Sequence, residues 1–442
     1  MNERENWKSS AGFIMAAASS AVGVGNLWRF PYVMGSNGGS WFLIIYVIFI
    51  FLLGAPLLLG EFAIGRHTQL SPVGAYAKLQ KGSGFIGAAA VIVPFLIMTY
   101  FCIIGAWALK YMFSYIFTSE ALEFHAYISG TLSLGAFQPI LWNTLFLVLT
   151  CLGCLFGAAG IEKISKLAAP LFLILLVLII IRSLTLPGAG AGLKFMFANT
   201  DGFSIKAIPV AMGQVFFSLG LASGVMLTYG SYLKKDIKLP GSAVIVAGLD
   251  TAAAVLAGVA IFPAVFAMGS EPDAGTGLAF VTLPNMFEVM PLGRAVGTLF
   301  FLFVTIAALT SSISLSEACI AFTIDEWKWS RKRSVITICA VLCVLSVPNS
   351  LSLTEGTILS GNLPGLHVNL MEAVDYLVSN IFMPLGGLLM CIIIGWFWKP
   401  EKAVEEIEST PNYTFKLKKA WCFIMRFLAP ILIVVVIISQ FT

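Results

Sequence analysis

Long apolar runs, cut by short polar, basic or glycine-containing interruptions, set the pattern of this chain. Runs long enough to cross about 30 Å of hydrocarbon as helices occur near residues 12–35, 41–65, 85–117, 139–157, 161–183, 204–232, 239–269, 291–324, 334–350, 370–398 and 418–440. Eleven such runs predict an all-α polytopic membrane protein. Arg4, Lys8, Arg66, Lys78, Lys81, Lys163, Lys166, Lys234, Lys235, Lys238, Lys328, Arg331 to Arg333, Lys399 and Lys402 fall in loops on one side. The opposite loops carry Glu120, Glu123, Asp201, Glu271, Asp273, Glu288 and Glu355, with Lys194, Lys206 and Arg294 the basic exceptions. Basic loops stay on the cytoplasmic side, so the amino terminus is expected inside and, after an odd number of spans, the carboxyl terminus outside. The polar segment Met1–Ser10 leads into an apolar run too long for a cleaved signal and followed by others.

Composition narrows the class. Of 442 residues, 59% are hydrophobic and only 11% charged, against about 25% charged in soluble domains. The net charge of +4 resides in inter-span loops, so it does not point to a nucleic-acid partner; membrane lipid is the surrounding medium. All eight cysteines lie in apolar stretches. Cys151 and Cys154 have the spacing of a metal or redox pair, but with no second pair or neighbouring histidine they read as packing residues. Histidines 67, 125 and 367 are too scattered to form a metal site.

One stretch breaks the apolar pattern from within. Ser19 to Pro31 carries Gly23, Gly25, Asn26, Arg29 and Pro31 inside the first span. An intact lipid-facing helix has little use for these, since glycine weakens it and an arginine is costly in hydrocarbon. A helix broken near Val22 to Gly25 explains them better than a kink. Its first half ends in free carbonyls that suit a cation, and its second begins with free N–H groups that suit an anion. The sixth span repeats this feature in Gly213, Gln214, Ser218, Gly220, Ser223 and Gly224. Spans 1 and 6 are five apart and so run in opposite directions. Interrupted helices at matching places in two halves of opposite topology mark an inverted-repeat carrier.

The segment Gly23-Val-Gly25-Asn26-Leu-Trp-Arg29-Phe-Pro31, with Asn37-Gly-Gly39, closely resembles the neurotransmitter:sodium symporter family. Glu61 to Arg66, Gln214 to Ser218 and Leu309 to Ser312 extend the match in the family's order. The resemblance implies the bacterial leucine-transporter fold. Residues 1–203 (spans 1–5) and 204–398 (spans 6–10) would be the inverted repeats. Residues 399–442 would supply a cytoplasmic loop and span 11, in a bacterial cytoplasmic-membrane protein.

It also implies two sodium sites. The first takes the Ala21 carbonyl, Asn26, Ser218 and Asp250. The second takes carbonyls of Ser19, Val22 and Ala307 with the hydroxyls of Thr310 and Ser311. Many animal members hold asparagine where Asp250 stands and use chloride, with a serine where this chain has Ala254; no chloride is therefore expected here. Asp250 lies ten residues beyond Pro240, about 15 Å into its helix, too deep for a solvated carboxylate.

For an amino-acid substrate, the resemblance places Val24 and Gly25 N–H groups on its carboxylate and the carbonyls of Ala21, Phe217 and Ser218 on its ammonium. Ile97, Phe101, Phe217, Gly220, Ser223, Ser311 and Leu315 would surround the side chain. Gly23 stands where monoamine transporters carry aspartate, which favours a substrate bringing its own carboxylate. Phe101 stands in a Tyr-Tyr pair of the family, one of whose tyrosines bonds the substrate carboxylate. Gly220 and Ser223 are smaller than their leucine-transporter counterparts, which favours a bulky, aromatic side chain.

Arg29 and Asp375 match the outer gate, with Phe217 as lid; Arg4, Trp7, Tyr232 and Asp325 match the inner one. Gly160 and Pro170 match a motif that lets the inner end of span 5 unwind, the alternative being a helix that starts near Glu162. Glu61 and Glu317 read as acceptors for broken backbone. The expected activity is sodium-coupled import of a neutral amino acid by alternating access, not an enzymatic reaction. The alternative is a sodium-independent or proton-coupled exchanger of the same fold.

Overall fold

The apolar runs become helices because a backbone in hydrocarbon must satisfy its own hydrogen bonds. The computed structural model describes residues 5–118, 137–198, 203–269, 280–281, 283–289, 291–354, 357, 359–363 and 368–439, and every regular element among them is helical. Among the described residues, nine continuous helices are long and apolar enough to cross a membrane. They are span 2 (Ser40–Thr68), span 3 (Gly84–Phe117), span 4 (Phe137–Cys154), span 5 (Gly157–Leu184), span 7 (Leu239–Ala267), span 8 (Gly293–Trp327), span 9 (Arg331–Ser352), span 10 (Leu370–Phe397) and span 11 (Lys418–Ser439). Span 1 is a bent pair, Ser10–Ala21 and Gly25–Ser36, with 49° between its halves. The run expected at 204–232 forms a helix of 13 residues, Ala207–Leu219, and one of 6, Val225–Gly230. Neither half spans by length alone, so among the described residues nine full spans and one bent pair stand against the expected eleven, and this interrupted segment lies where the remaining span was expected.

Placement follows polarity. Span 11 is the most peripheral, with 22% of its apolar window buried, whereas that of span 3 is 72% buried. Ile44, Ile48, Leu173, Ile174 and Ile181 project outward, as lipid-facing residues do, while Phe13, Tyr46, Phe62, Tyr100 and Tyr111 fill the interior. Spans 3 and 8 pack along their length and support the broken spans. A disulfide joins Cys151 of span 4 to Cys339 of span 9, which corrects the reading of Cys151 as a packing residue; Cys154 is buried and free. Span 5 is helical from Gly157 onward with Pro170 inside it. The start near Glu162 is thus five residues late, and the Gly160–Pro170 stretch is wound in this structure. Of the loop acids and histidines, Glu120, Glu123, His125, Asp201, Glu271, Asp273, Glu355 and His367 lie outside the described residues.

Candidate functional site

The two breaks have different local causes. Span 1 begins cleanly, the Ser9 hydroxyl accepting from the Gly12 N–H at 3.0 Å, and stops at Ala21. Its second half opens with a wide turn in which Phe30 N–H reaches the Gly25 carbonyl. In span 6, Gly220, Ala222 and Gly224 all take positive φ, at 61°, 59° and 69°. Glycine adopts this freely, but for alanine it is strained. The Ala222 N–H donates to Glu61 Oε1 at 2.7 Å, so an acid from span 2 holds the strained residue. Glu61 is thus an acceptor for broken backbone.

The two breaks meet on Asp250. Its Oδ1 accepts from Asn26 Nδ2 at 2.9 Å and from Ser218 Oγ at 2.8 Å; its Oδ2 accepts from Tyr46 at 3.0 Å and lies 2.9 Å from Ser218 Oγ. Asn26 Nδ2 also donates to the Asp250 carbonyl at 2.9 Å. With its nitrogen so occupied, Asn26 presents its Oδ1 beside Ser218, 3.4 Å away. Asn26 and Asp250 are fully buried and Ser218 nearly so. This is a dry cluster of hard oxygens around one carboxylate, the chemistry that suits an alkali cation. Ala254, also buried, offers no hydroxyl. Tyr46 lies outside the set expected from sequence; the signal for it is a lone phenol in the apolar run of span 2.

A second group lies where span 1 passes span 8. Ser19, Val22, Ala307 and Thr310 border one mainly apolar cavity of about 380 Å³, together with Pro170 of span 5. Thr310 donates back to the Ala307 carbonyl at 3.0 Å, Ser311 donates to the Ser20 carbonyl at 3.2 Å, and the buried Ser19 hydroxyl has no partner among the described residues. Among the described residues no cluster of three or more His, Cys, Asp or Glu side chains could hold a metal; the polar atoms of this group are hydroxyls and backbone carbonyls.

Between these groups lies a small cavity of about 50 Å³ bounded by Ala21, Gly25, Ile97, Phe101, Phe217, Ser218, Gly220, Ser311 and Leu315, all expected, and by Ser20, Gly23, Val225 and Met383, which were not. Val24 and Ser223 are not on its wall: the Ser223 hydroxyl turns back to the Gly220 carbonyl. A Cβ at Gly23 would sit 2.1 Å from Ser311 Oγ and one at Gly25 3.0 Å from the Phe217 ring, so a side chain at Gly23 needs the Ser311 hydroxyl to turn away and one at Gly25 presses on Phe217. Of the tyrosine-phenylalanine pair, Phe101 faces the cavity while Tyr100 donates to Asp375 at 2.8 Å.

The outer pair is not joined. Arg29 donates to Gln214 at 2.8 Å and lies over the Phe217 ring at 4.7 Å, while Asp375 accepts from Tyr100 and from Ser379 at 3.2 Å. The opposite end is laced shut. Trp7 is buried against Tyr229 and Tyr232 and donates to the Tyr229 carbonyl at 2.9 Å. Glu5 accepts from the Ala158 N–H at 2.7 Å and pairs with Arg331 at 3.1 Å; Arg331 also pairs with Glu317, which accepts from Tyr232 at 2.7 Å. Glu317 is therefore an ion-pair partner and not an acceptor for broken backbone. Asp325 accepts from the Ser71 N–H at 2.6 Å; Arg4 lies outside the described residues.

Helices that stop and restart around buried oxygens, inside a multi-span bundle, define a membrane carrier of the broken-helix type. The sequence model of the sodium:neurotransmitter symporter family matches residues 4–125 and 114–442, and the chain belongs to that family. It is 35% identical to the uncharacterized sodium-dependent transporter YhdH of Bacillus subtilis, over 98% of this chain and 97% of that one. It is 28% identical to the sodium- and chloride-dependent taurine transporter of Rattus norvegicus, over 93% of this chain and 74% of that one. Its fold matches the crystal structure of MhsT in complex with L-phenylalanine, with a TM-score of 0.90, 41% identity and coverage of 99% of this chain and 100% of the other. The protein is thus a multi-pass, sodium-dependent symporter.

Proposed function

We propose that this symporter imports a neutral amino acid with a large, aromatic-leaning side chain, driven by two sodium ions and independent of chloride. The observation that carries the reading is the meeting of both helix breaks on Asp250. Asn26, Ser218, Asp250 and the Ala21 carbonyl take the first sodium. Carbonyls of Ser19, Val22 and Ala307 with the Thr310 and Ser311 hydroxyls take the second. The substrate carboxylate lies against the Val24 and Gly25 N–H groups and the first sodium, because Phe101 brings no hydroxyl to the cavity. Its ammonium meets the carbonyls of Ala21, Phe217 and Ser218. The L-phenylalanine in complex with MhsT supports an aromatic side chain. A cavity of about 50 Å³ is too small for one, so Phe217 and Met383 move as substrate enters.

Residues 1–203 and 204–398 act as inverted repeats, with 399–442 appended. The basic, laced face is cytoplasmic and the Arg29–Asp375 face external, where those two side chains pair over bound substrate. Trp7, Tyr232 and Asp325 hold the cytoplasmic face closed. One charge crossing about 100 mV yields about 2.3 kcal/mol, and a tenfold gradient about 1.4. Two sodiums therefore supply roughly 7 kcal/mol, enough for steep accumulation. The test is thermal unfolding of the purified protein against the twenty amino acids in sodium and in potassium, since a ligand of the folded state raises stability by mass action. Stabilisation by large neutral amino acids in sodium alone supports the reading; equal stabilisation in potassium overturns it.

A further inference from the structure

A polar cavity unconnected with the transport site opens on the face we assign to the cytoplasm. It measures about 400 Å³ and is walled by His67, Lys78, Trp398, Lys402, Glu405 and Glu406. Three elements build it: the end of span 2, the helix Pro72–Leu79, and the helix Pro400–Glu408 that follows span 10. Its charges are unequal in availability. Glu406 is already engaged, because it accepts from Arg66 Nε at 2.8 Å, from Lys235, and lies 3.3 Å from His67 Nδ1. Lys78 gives one bond, to the Thr68 carbonyl at 3.2 Å, and is exposed. The Lys402 ammonium has no partner among the described residues. Two ammonium groups thus face one uncommitted carboxylate, Glu405, and the cavity prefers an anion.

The position of the cavity says which anion. The two residues that precede the cavity-lining Trp398, Trp396 and Phe397, are 46% and 52% exposed at the end of span 10. A basic cavity whose wall residue Trp398 adjoins two exposed aromatic residues, at the end of membrane helices assigned to the cytoplasmic face, has the layout that receives a lipid head group while its chains lie along the span. We propose that this cavity binds the phosphate of an anionic phospholipid of the inner leaflet, between Lys78 and Lys402, with the acyl chains against Phe397 and Trp396. Such a lipid ties the loop between spans 2 and 3 to the loop between spans 10 and 11.

The test uses the purified full chain in detergent, titrated with phosphatidylglycerol, phosphatidylcholine or glycerol 3-phosphate, with the unfolding temperature and the number of lipids retained in native mass spectrometry as readouts. Phosphatidylglycerol is expected to raise the unfolding temperature and to be retained. Lys78→Gln with Lys402→Gln is expected to weaken it about thirtyfold, at about 1 kcal/mol for each lysine. Lys332→Gln with Lys416→Gln, on the same face, should leave it unchanged. If the double variant folds poorly, Lys402→Gln alone should weaken binding about fivefold. Equal effects of phosphatidylcholine, or full retention in both cavity variants, overturn the proposal. An equal effect of glycerol 3-phosphate also overturns it and assigns the cavity to a soluble phosphate ligand.

Discussion

The Ser218 hydroxyl lies 2.8 and 2.9 Å from the two carboxylate oxygens of Asp250, so the broken sixth span and the intact seventh share one buried charge. In a dry site a fixed carboxylate is costly unless a cation or a proton meets it. In the proposed site a bound sodium and a substrate carboxylate offset one another, and Asp250 is proposed to take the part of a chloride ion. We therefore expect uptake in gluconate to equal uptake in chloride, and external acid to compete with sodium. Asp250→Asn should weaken sodium binding and flatten the pH dependence, and Ala254→Ser added to it should make chloride stimulatory. Uptake that requires chloride in the unaltered protein contradicts this.

Tyr46 completes the node at 3.0 Å from Asp250 Oδ2. Removing its hydroxyl leaves a buried acceptor less well satisfied, at a cost of about 1–3 kcal/mol. Tyr46→Phe should lower thermal stability in potassium and change the apparent sodium affinity, measured as the sodium concentration for half-maximal uptake. An unaltered value for both would mean the phenol is idle.

At the proposed second sodium site, Thr310 and Ser311 donate to carbonyls of Ala307 and Ser20. These bonds are easily exchanged for a cation that binds hydroxyl and carbonyl oxygens together. Thr310→Ala with Ser311→Ala should abolish uptake while the protein still elutes as a folded species. Full uptake by that variant in sodium removes the assignment.

How much of this was legible in the sequence depends on distance along the chain. The apolar runs and both breaks were readable, because an apolar run and its glycines are local features. Tyr46 was not, because its partner lies 204 positions away and a lone phenol in an apolar run reads as packing. Arg331 appeared only as a loop charge, although it folds back on Glu317 and Glu5. Ser223 shows the converse: the family resemblance placed it on the cavity wall, but a left-handed residue on either side turns the hydroxyl onto Gly220. Cys151 likewise has a near neighbour in sequence, Cys154, and its actual partner on span 9.

Phe101 offers a gain-of-function test, since it borders the central cavity while Tyr100 is engaged elsewhere. A hydroxyl able to reach the substrate carboxylate is worth about 1.5–3 kcal/mol. Phe101→Tyr should tighten amino-acid binding about tenfold or more and leave binding of the matching amine, which lacks the carboxylate, unchanged. Equal tightening for both would place the substrate carboxylate elsewhere.

Away from the transport path, Glu406 is mostly buried and burial alone would raise its pKa. Bonds from His67 and Lys235 with the Arg66 charge overcome this and hold it at about 2, below the usual 4.5. A depressed carboxyl stabilises the fold above its unfolded pKa and loses that contribution as pH falls from about 4.5 towards about 2. Glu406→Gln leaves the buried Arg66 without its counter-charge, so it should cost roughly 3–5 kcal/mol near neutral pH and blunt the acid-induced fall in unfolding temperature. An unfolding temperature equal to the unaltered protein at pH 7 contradicts the pairing.

The central claim is that a sodium gradient drives amino-acid accumulation. It is tested most directly by uptake of radiolabelled neutral amino acids, aromatic ones included, into proteoliposomes under an inward sodium gradient or an equal potassium gradient. The account predicts transient accumulation above the external concentration with sodium only, abolished when the gradient is collapsed by an ionophore. Accumulation that is the same in potassium, or that survives collapse of the sodium gradient, would contradict it.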